Sequence, residues 1–305
     1  RQQSMNIRHL KYNEIDKLKW DRCISQSFNG IVFAYAWYLD IVSYQWEALV
    51  LDDYVAVMPL TFPGSYSLST LKQPAYPNQL GIFTSKLLDY KMVDAFLSLV
   101  AEKYRKVEIC LNTFNKTQHS SFFVKKEFAY QLDLILPYKS LYLNFDAVTK
   151  EKIKYSKINK IQVEKHVNLK DFLLLKKNTD NEPLTFEHLN TLRRIIPFTI
   201  SHNIGETFGA YDDKNQLVAV AYFIKSHQKA INLLSAVSEE GAKLYADVFI
   251  IDKYLKENAE RNLTLCFAGP AHKNQAELIQ GLGAKPVNYL RIKKKRWFNF
   301  LWPHK

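Results

Sequence analysis

Cysteine is scarce in this sequence, and long apolar runs are absent. Only three cysteines occur among 305 residues, namely Cys23, Cys110 and Cys266. Their wide spacing excludes a disulfide framework and the paired spacing of a zinc site, so we expect a protein of a reducing compartment, the cytoplasm. The sequence contains no run of about 18 apolar residues and no pattern of a charged start, an apolar stretch and a cleavage site. We therefore expect neither a membrane span nor a secretion signal.

The composition is that of a folded globular protein. Hydrophobic residues make up 47% of the chain and charged residues 24%, which excludes disorder and collagen-like repeats. Because domains commonly hold about 100 to 200 residues, the length predicts two domains, each able to bury its own core.

Positive charge is in excess, with a formal net charge of +12. The basic residues concentrate in two segments, 150–177 and 291–296. A solvated helix face explains the first segment and is the interpretation we favour. An anionic partner, such as nucleic acid or a lipid surface, is the alternative.

The residue periodicity of the first half predicts a fixed order of helices and strands. The predicted elements are helices over 13–27 and 34–44, strands over 47–51, 54–62 and 67–72, a helix over 86–105 capped by Ser85, and strands over 107–111 and 128–136. Two helices, three antiparallel strands, a helix and further strands make this half an α/β (α+β) domain.

The same order returns in the second half. The predicted elements are helices over 169–177 and 186–195, strands over 206–211, 217–224 and 230–237, a helix over 243–258, a strand over 263–267, a short helix over 275–281 and a strand over 287–292. The sequence therefore predicts two copies of one fold, at 5–138 and 166–305, although the copies share almost no residue identity. Between them, 139–165 is predicted as a basic helical connector, with Leu143, Val148, Ile153, Ile158 and Ile161 along its apolar side.

Three stretches resemble a known group of proteins. They are Trp20 to Ile24 with Ala34 to Asp40, Gln73 to Phe83, and Ala230 to Gly241 together with Leu265 to Pro270 and Gly281 to Pro286. With the element order, they resemble the tandem GNAT (acetyltransferase) fold of the Fem-type and acetyltransferase-like proteins, including uncharacterised Bacteroidetes members. Each domain is then expected to be a mixed, mainly antiparallel sheet flanked by helices. Relatives tend to carry an acidic pair in the strand before the Gly269-Pro270 turn, and at the corresponding positions this sequence has Cys266 and Ala268.

The resemblance implies an N-acyltransferase whose donor is acyl-coenzyme A or an aminoacyl-tRNA. A GNAT enzyme holds the diphosphate of coenzyme A in a glycine-rich loop at a helix N-terminus. The corresponding segments here, 72–85 and 238–243, carry two prolines in one case and two carboxylates with a single glycine in the other. A tRNA donor would instead use a broad basic surface, but the long coiled-coil arm of tRNA-dependent relatives is missing. Both donors stay open, and no other cofactor and no metal is expected.

Candidate site residues come from both halves and are expected to face a cleft between the two copies. The catalytic candidates are Tyr222 and Ser235, and the substrate-binding candidates are Gln73, Tyr76, Asn78, Gln79, Asn232 and Ser238. Tyrosine is a plausible proton donor to a leaving group, and serine or asparagine can hold an amine. Because the separation of Asn232 and Ser235 along the chain is odd, they lie on opposite faces of their strand unless a bulge intervenes. Structural roles, as a strand tyrosine and as a proline-bounded turn, are the alternatives.

The C-terminal stretch 291–303 joins a cationic cluster to tryptophan, phenylalanine and leucine. This composition is typical of peripheral contact with a membrane, here its inner face, and it would suit a cell-envelope precursor as acceptor. A small-molecule acceptor, and a last strand docked on the domain core, are the alternatives. A protein that kept the fold, lost the chemistry and binds an anionic membrane or nucleic acid is the rival function.

Overall fold

The computed structural model describes residues 6–62, 69–179, 184–267 and 273–295. The elements of the first half are β1 (Ile7–Leu10), α1 (Lys17–Gln26), α2 (Ala36–Val42), β2 (Glu47–Leu51), β3 (Ala56–Leu60), β4 (Thr70–Lys72), β5 (Phe83–Thr84), α3 (Tyr90–Lys103), β6 (Lys106–Cys110) and β7 (Phe122–Asp133). The predicted α/β class is confirmed.

The second half repeats this order. Its elements are α4 (Tyr138–Leu143), α5 (Ala147–Ile158), β8 (Gln162–Lys165), α6 (Leu169–Thr179), α7 (Phe186–Ser201), β9 (Gly205–Tyr211), β10 (Leu217–Ser226), β11 (Lys229–Val237), α8 (Glu239–Lys243), α9 (Ala246–Asn258), β12 (Thr264–Phe267), α10 (Lys273–Gly281) and β13 (Lys285–Lys294). No helix among the described residues is long and apolar enough to cross a bilayer.

The chain forms two compact units, and the first contains residues 1–127 and 289–305. Its strands β1, β2, β3 and β5 form an antiparallel sheet. Strand β4 runs parallel to β6, and β6 pairs antiparallel with the last part of β13. The core lies between these strands and α3, whose buried residues Val93, Phe96, Leu97 and Val100 recur at the helical period.

The second unit contains residues 128–288. Strands β8, β9, β10 and β11 are antiparallel, β12 joins β11 in parallel, and β7 joins β12 antiparallel. Helices α6, α7 and α9 all contact this sheet. Helix α6 contacts β10 and β11, α7 contacts β9, and α9 contacts all three of these strands. Both units thus place an edge strand and two helices before an antiparallel set of strands. The domain boundaries predicted from the sequence remain a prediction.

The predicted helical connector is wrong in part. Its last residues, Gln162–Lys165, form strand β8 rather than a helix and pair with β9. In α5 the buried residues are Thr149, Ile153 and Ser156, whereas the apolar side chains of Leu143, Val148 and Ile158 are exposed. Ile153 and Ile161 of the predicted apolar side are buried, but the small polar residues Thr149 and Ser156 pack beside Ile153 in place of the other aliphatic ones. Ser156 does so by donating to the backbone oxygen of Leu244 at 2.7 Å.

Two helix ends also differ from prediction. Helix α3 begins at Tyr90 rather than near Lys86, because the side chain of Asp89 accepts a hydrogen bond from the Met92 amide and caps the helix there. Helix α7 continues past Pro197 to Ser201, and its last turn is held by buried Thr199. Proline costs this helix one backbone hydrogen bond, and packing on the sheet offsets that loss.

Candidate functional site

A β-bulge in strand β11 brings two of the predicted site residues together. Opposite β11, Ala221 pairs with Ser235 and Phe223 pairs with Asn232, so Leu233 is an extra residue in the ladder. Residues directly opposite each other on antiparallel strands share a face of the sheet. Since Ala221 and Phe223 lie on one face, Asn232 and Ser235 lie there as well, despite their odd separation. The Ser235 hydroxyl donates to Asn232 Oδ1 at 3.1 Å.

The bulge lies just beyond the described pairing of β11 with β12. Strand β11 pairs with β12 from Lys229 opposite Thr264 as far as Asn232 opposite Phe267. Beyond that point β11 continues for five residues, to Val237, without a described partner in β12. The Asn232–Ser235 pair therefore begins at the last described rung of the β11–β12 ladder, on the face where Phe223 stacks on Tyr254 of α9.

Asn232 carries a polar group that the described protein does not satisfy. The residue is 4% exposed, and its Nδ2 atom has no hydrogen-bond partner among the described residues. An orphaned buried donor costs about 1–3 kcal/mol, so this arrangement is unfavourable unless a water molecule or a ligand accepts its hydrogen bond. A carbonyl oxygen is the acceptor that an amide N–H at this position would bind.

Tyr222 does not share this site. It alternates with Ala221 and Phe223 along β10, so its side chain lies on the opposite face of the sheet. There it is fully buried, and its hydroxyl makes a 2.5 Å hydrogen bond with Thr199 Oγ1 of α7. Burial raises the pKa of Tyr222 well above its ordinary value. The structure thus places Tyr222 in a packing role against α7, away from Asn232 and Ser235.

Ser238 caps the short helix α8. Its hydroxyl oxygen accepts from the Gly241 amide at 3.0 Å. A Cβ at Gly241 would lie 2.3 Å from the backbone oxygen of Val218, so this glycine allows α8 to approach β10 closely. The glycine of this segment therefore serves packing, while Glu239 and Glu240 of α8 form ion pairs with Lys243.

In the first unit, residues 73–79 lie between strands β4 and β5 and contain the other four predicted substrate-binding residues. Both amide atoms of Gln73 are used, because Nε2 donates to the Pro77 oxygen at 3.0 Å and Oε1 accepts from the Cys110 amide at 3.1 Å. Gln79 accepts from the Thr113 amide at 3.2 Å. Tyr76 has a φ of +79°, and the buried Asn78 Oδ1 lacks a hydrogen-bond partner among the described residues. Two of the four candidates are thus structural ties of the loop.

Sequence reasoning missed a buried asparagine cluster that holds the end of this loop. Asn115 Oδ1 accepts from the Ile82 amide at 2.8 Å, and Asn29 and Asn112 both donate to the Ile82 oxygen. Gly81 adopts a φ of +91°, and a Cβ there would lie 2.2 Å from Asn115 Oδ1. The polar run Asn112 to Asn115 directly after a buried strand was the available signal.

The thiols are protonated at neutral pH. Desolvation raises the pKa of both Cys23 and Cys266 to about 11, and burial also raises the pKa of Cys110. None is therefore a ready thiolate nucleophile. In the described ranges, no group of three histidine, cysteine, aspartate or glutamate side chains is placed to hold a metal ion. Ala268, Gly269 and Pro270, which belong to the resemblance, lie outside the described residues.

Comparison with known proteins identifies the fold. Models of known protein families and curated proteins give no match to this sequence. Among solved structures, FemX is similar with a TM-score of 0.60 at 12% identity, covering 93% of this chain and 96% of that one. An acetyltransferase of the GNAT family from Colwellia psychrerythraea has a TM-score of 0.53 at 13% identity, covering 95% and 100%. L-PGS from Bacillus licheniformis has a TM-score of 0.52 at 9% identity, covering 93% and 92%.

These likenesses show that the chain has a GNAT-like fold, as the sequence predicted. At such low identity they concern the fold alone. They do not distinguish the Bacteroidetes-type subgroup from other proteins with this fold.

Proposed function

We propose that the protein is an N-acyltransferase whose donor carbonyl binds at the bulge of β11. The observation that carries this proposal is the buried Asn232 Nδ2, which lacks a partner among the described residues and lies beside the bulge of β11. Ser235 holds the amide by donating to its Oδ1. The free N–H is then left to donate to the carbonyl oxygen of a thioester or ester.

In this reaction the acceptor amine attacks the donor carbonyl directly. The new C–N bond forms as the negative charge moves to the carbonyl oxygen. A hydrogen-bond donor that is already in position, the Asn232 amide, stabilises that charge. The C–S or C–O bond then breaks, and the proton lost by the amine goes to the leaving thiol or hydroxyl. Direct transfer without a covalent enzyme intermediate agrees with the raised pKa values of Cys23, Cys110 and Cys266.

The donor is acyl-coenzyme A or an aminoacyl-tRNA, and the acceptor a small amine or a cell-envelope precursor. Likeness to a GNAT-family acetyltransferase supports an acyl donor, and the resemblance of the sequence to Fem-type proteins supports an aminoacyl donor and a cell-envelope acceptor. Residues 238–243 argue against a tight diphosphate loop, since Gly241 is used for packing and Glu239 and Glu240 are negative. We place the protein in the cytoplasm at the inner membrane face, among the Bacteroidetes-type members.

Loss of chemistry with retention of the fold is the second candidate. The observation that favours it is the same segment, in which two carboxylates stand at the start of α8. Such a protein would bind an anionic partner and catalyse nothing.

A donor panel tests the proposal. Acyl-coenzyme A species of different chain length and aminoacyl-tRNAs are offered to the wild-type protein, and binding is measured by thermal shift and by turnover with mixed amine acceptors. At least one donor class should raise the melting temperature of the wild-type protein and be turned over by it, and Asn232→Leu should turn over the same donor far more slowly. Silence of the wild-type protein toward every donor would contradict the enzyme proposal and favour the binding protein.

A further inference from the structure

One face of the sheet in the first unit is basic and open to solvent. In β6, Val107 and Ile109 point into the core, so Lys106 and Glu108 lie on the opposite face. The register places Lys72 of β4 and Lys293 of β13 on either side of Glu108, on the same face. We call this surface the basic sheet face; its charged members are Lys72, Lys106, Glu108, Lys125, Glu127, Arg291, Lys293 and Lys295.

The start of β7 adds an apolar side chain to the basic sheet face. Phe122 is in the core, and therefore Phe123 and Lys125 point the other way. Phe123 is 62% exposed, and Lys295 Nζ lies 5.2 Å from the centre of its ring. The neighbouring Lys294 confirms the alternation, since its Nζ donates to the Tyr104 oxygen on the core side. The basic sheet face thus combines a protruding phenylalanine with lysines around it.

The lysine side chains of the basic sheet face extend into solvent. That of Lys125 is 74% exposed and that of Lys293 is 68% exposed, and Lys72 and Lys106 are exposed as well. No described helix covers these positions, because each of them remains open to solvent in the whole described chain. Interaction partners outside the chain can therefore reach them.

The two carboxylates do not neutralise the face. Arg291 lies between them, 3.6 Å from Glu108 and 3.4 Å from Glu127. Lys125 contacts Glu127 at 3.0 Å, and Lys293 lies 3.9 Å from Glu108. Six cations share two carboxylates, and the outer lysines keep a net positive charge toward solvent.

The chemistry of these cations favours a lipid surface over nucleic acid. Arginine is the usual residue for reading phosphates in nucleic acids, but the described arginine here, Arg291, is occupied by two carboxylates. The remaining cations are lysines, whose ammonium groups attract anionic headgroups as compact point charges. Stacking of a base on Phe123 would compete with Lys295, which already covers one side of that ring. An exposed phenylalanine among lysines instead suits insertion at the headgroup level.

We propose that the basic sheet face docks the protein on an anionic membrane surface. This inference rests on the proposed location at the inner membrane face, but it requires no chemistry at Asn232, so it can fail while the proposed transferase activity holds. The stretch 291–303 was predicted to contact a membrane. Residues 296–303 lie outside the described part of the chain. We therefore assign the membrane contact to the described side chains of the basic sheet face, which come from four strands.

Vesicle sedimentation tests the inference. The probe is the wild-type protein with vesicles of phosphatidylcholine alone and with vesicles containing about one third phosphatidylglycerol. Each lysine near an anionic surface contributes about 1 kcal/mol. The triple variant Lys106→Gln, Lys125→Gln and Lys293→Gln should therefore bind anionic vesicles about 100-fold more weakly. Binding of the wild-type protein should be lost at high salt, because surface charges are screened.

A matched control removes the same net charge elsewhere. Lys157, Lys170 and Lys214 are exposed lysines of the second unit, and their triple glutamine variant should keep wild-type binding. Equal loss in both triple variants would show that only net charge matters and would overturn the assignment. Wild-type binding to neutral vesicles as tight as to anionic ones, or salt-sensitive binding to tRNA with none to vesicles, would also overturn it.

A second variant covers the case in which the triple variant fails to fold. Phe123→Ser alters a single exposed side chain, and melting curves check that the protein stays folded. Its binding to anionic vesicles should weaken about tenfold, because the ring no longer inserts. Unchanged binding of a folded Phe123→Ser protein and of single lysine variants would contradict the inference.

Discussion

Replacing Asn232 by leucine should separate stability from function. The change removes the orphaned Nδ2, whose burial costs about 1–3 kcal/mol, and it loses the Ser235 hydrogen bond, a contribution of about 1 kcal/mol. Ser235 is half-buried, so water can satisfy its hydroxyl in the variant. We expect a free energy of unfolding equal to that of the wild-type protein or up to about 2 kcal/mol higher, measured by urea denaturation.

Turnover should respond in the opposite direction. Removing one preorganised donor to a developing oxyanion lowers kcat by about 100- to 1000-fold, which corresponds to about 3–4 kcal/mol. The assay is transfer of a labelled acyl or aminoacyl group from the donor that binds in the panel. Because the lost interaction strengthens in the transition state, kcat should fall more than KM rises.

Asn258 provides the matched control. It is an equally buried asparagine of the same unit, but both of its amide atoms are bonded, Nδ2 to the Tyr254 oxygen at 2.9 Å and Oδ1 to Lys225 Nζ at 2.9 Å. Asn258→Leu should lose about 2 kcal/mol or more of stability. If Asn232→Leu destabilises the protein as much as Asn258→Leu does, or keeps turnover within threefold of the wild type, the reasoning about the orphaned amide is refuted.

Three further outcomes follow from the geometry. Gly81→Ala should lower the free energy of unfolding by about 2 kcal/mol or more, because its φ is positive and Asn115 blocks the Cβ; a loss below 0.5 kcal/mol in urea titration would speak against this. Tyr222→Phe should cost about 0.5–1.5 kcal/mol by removing its hydrogen bond to Thr199, whose hydroxyl still donates to the Ile196 oxygen, and leave kcat within twofold, whereas a kcat loss of 100-fold in a folded variant would return Tyr222 to the site. The thiols of Cys23 and Cys266 should react slowly with a disulfide reagent at pH 8, since the pKa of each is raised to about 11 and the thiolate forms only at higher pH; fast labelling of the folded protein would contradict the burial.

The element order was predictable because it depends on periodicity, which the sequence displays directly. Helix α3 shows its buried stripe in Val93, Phe96, Leu97 and Val100, and β11 shows a run of apolar residues. Helix α5 was misread because its buried side is built from Thr149 and Ser156, whose burial depends on tertiary hydrogen bonds.

The candidate site was predictable only in part. Asn232 and Ser235 were expected on opposite faces of one strand unless a bulge intervened, and the sequence does not show that Leu233 is an extra residue in the ladder. Gln73 and Gln79 were chosen for their polarity, and the structure uses both amides to tie the loop to β6 and to the chain beyond it. Polarity in a loop does not distinguish a structural tie from a ligand contact, because both need the same donors and acceptors.

The most direct test of the central claim is the side-chain amide resonance of Asn232 in nitrogen-15-labelled protein during titration with the donor panel. We expect one donor class to shift the Nδ2 protons downfield, because they begin to donate to a carbonyl oxygen, and a donor lacking the carbonyl to leave them unmoved. A donor that binds and turns over while the Asn232 resonance stays unmoved would contradict this expectation.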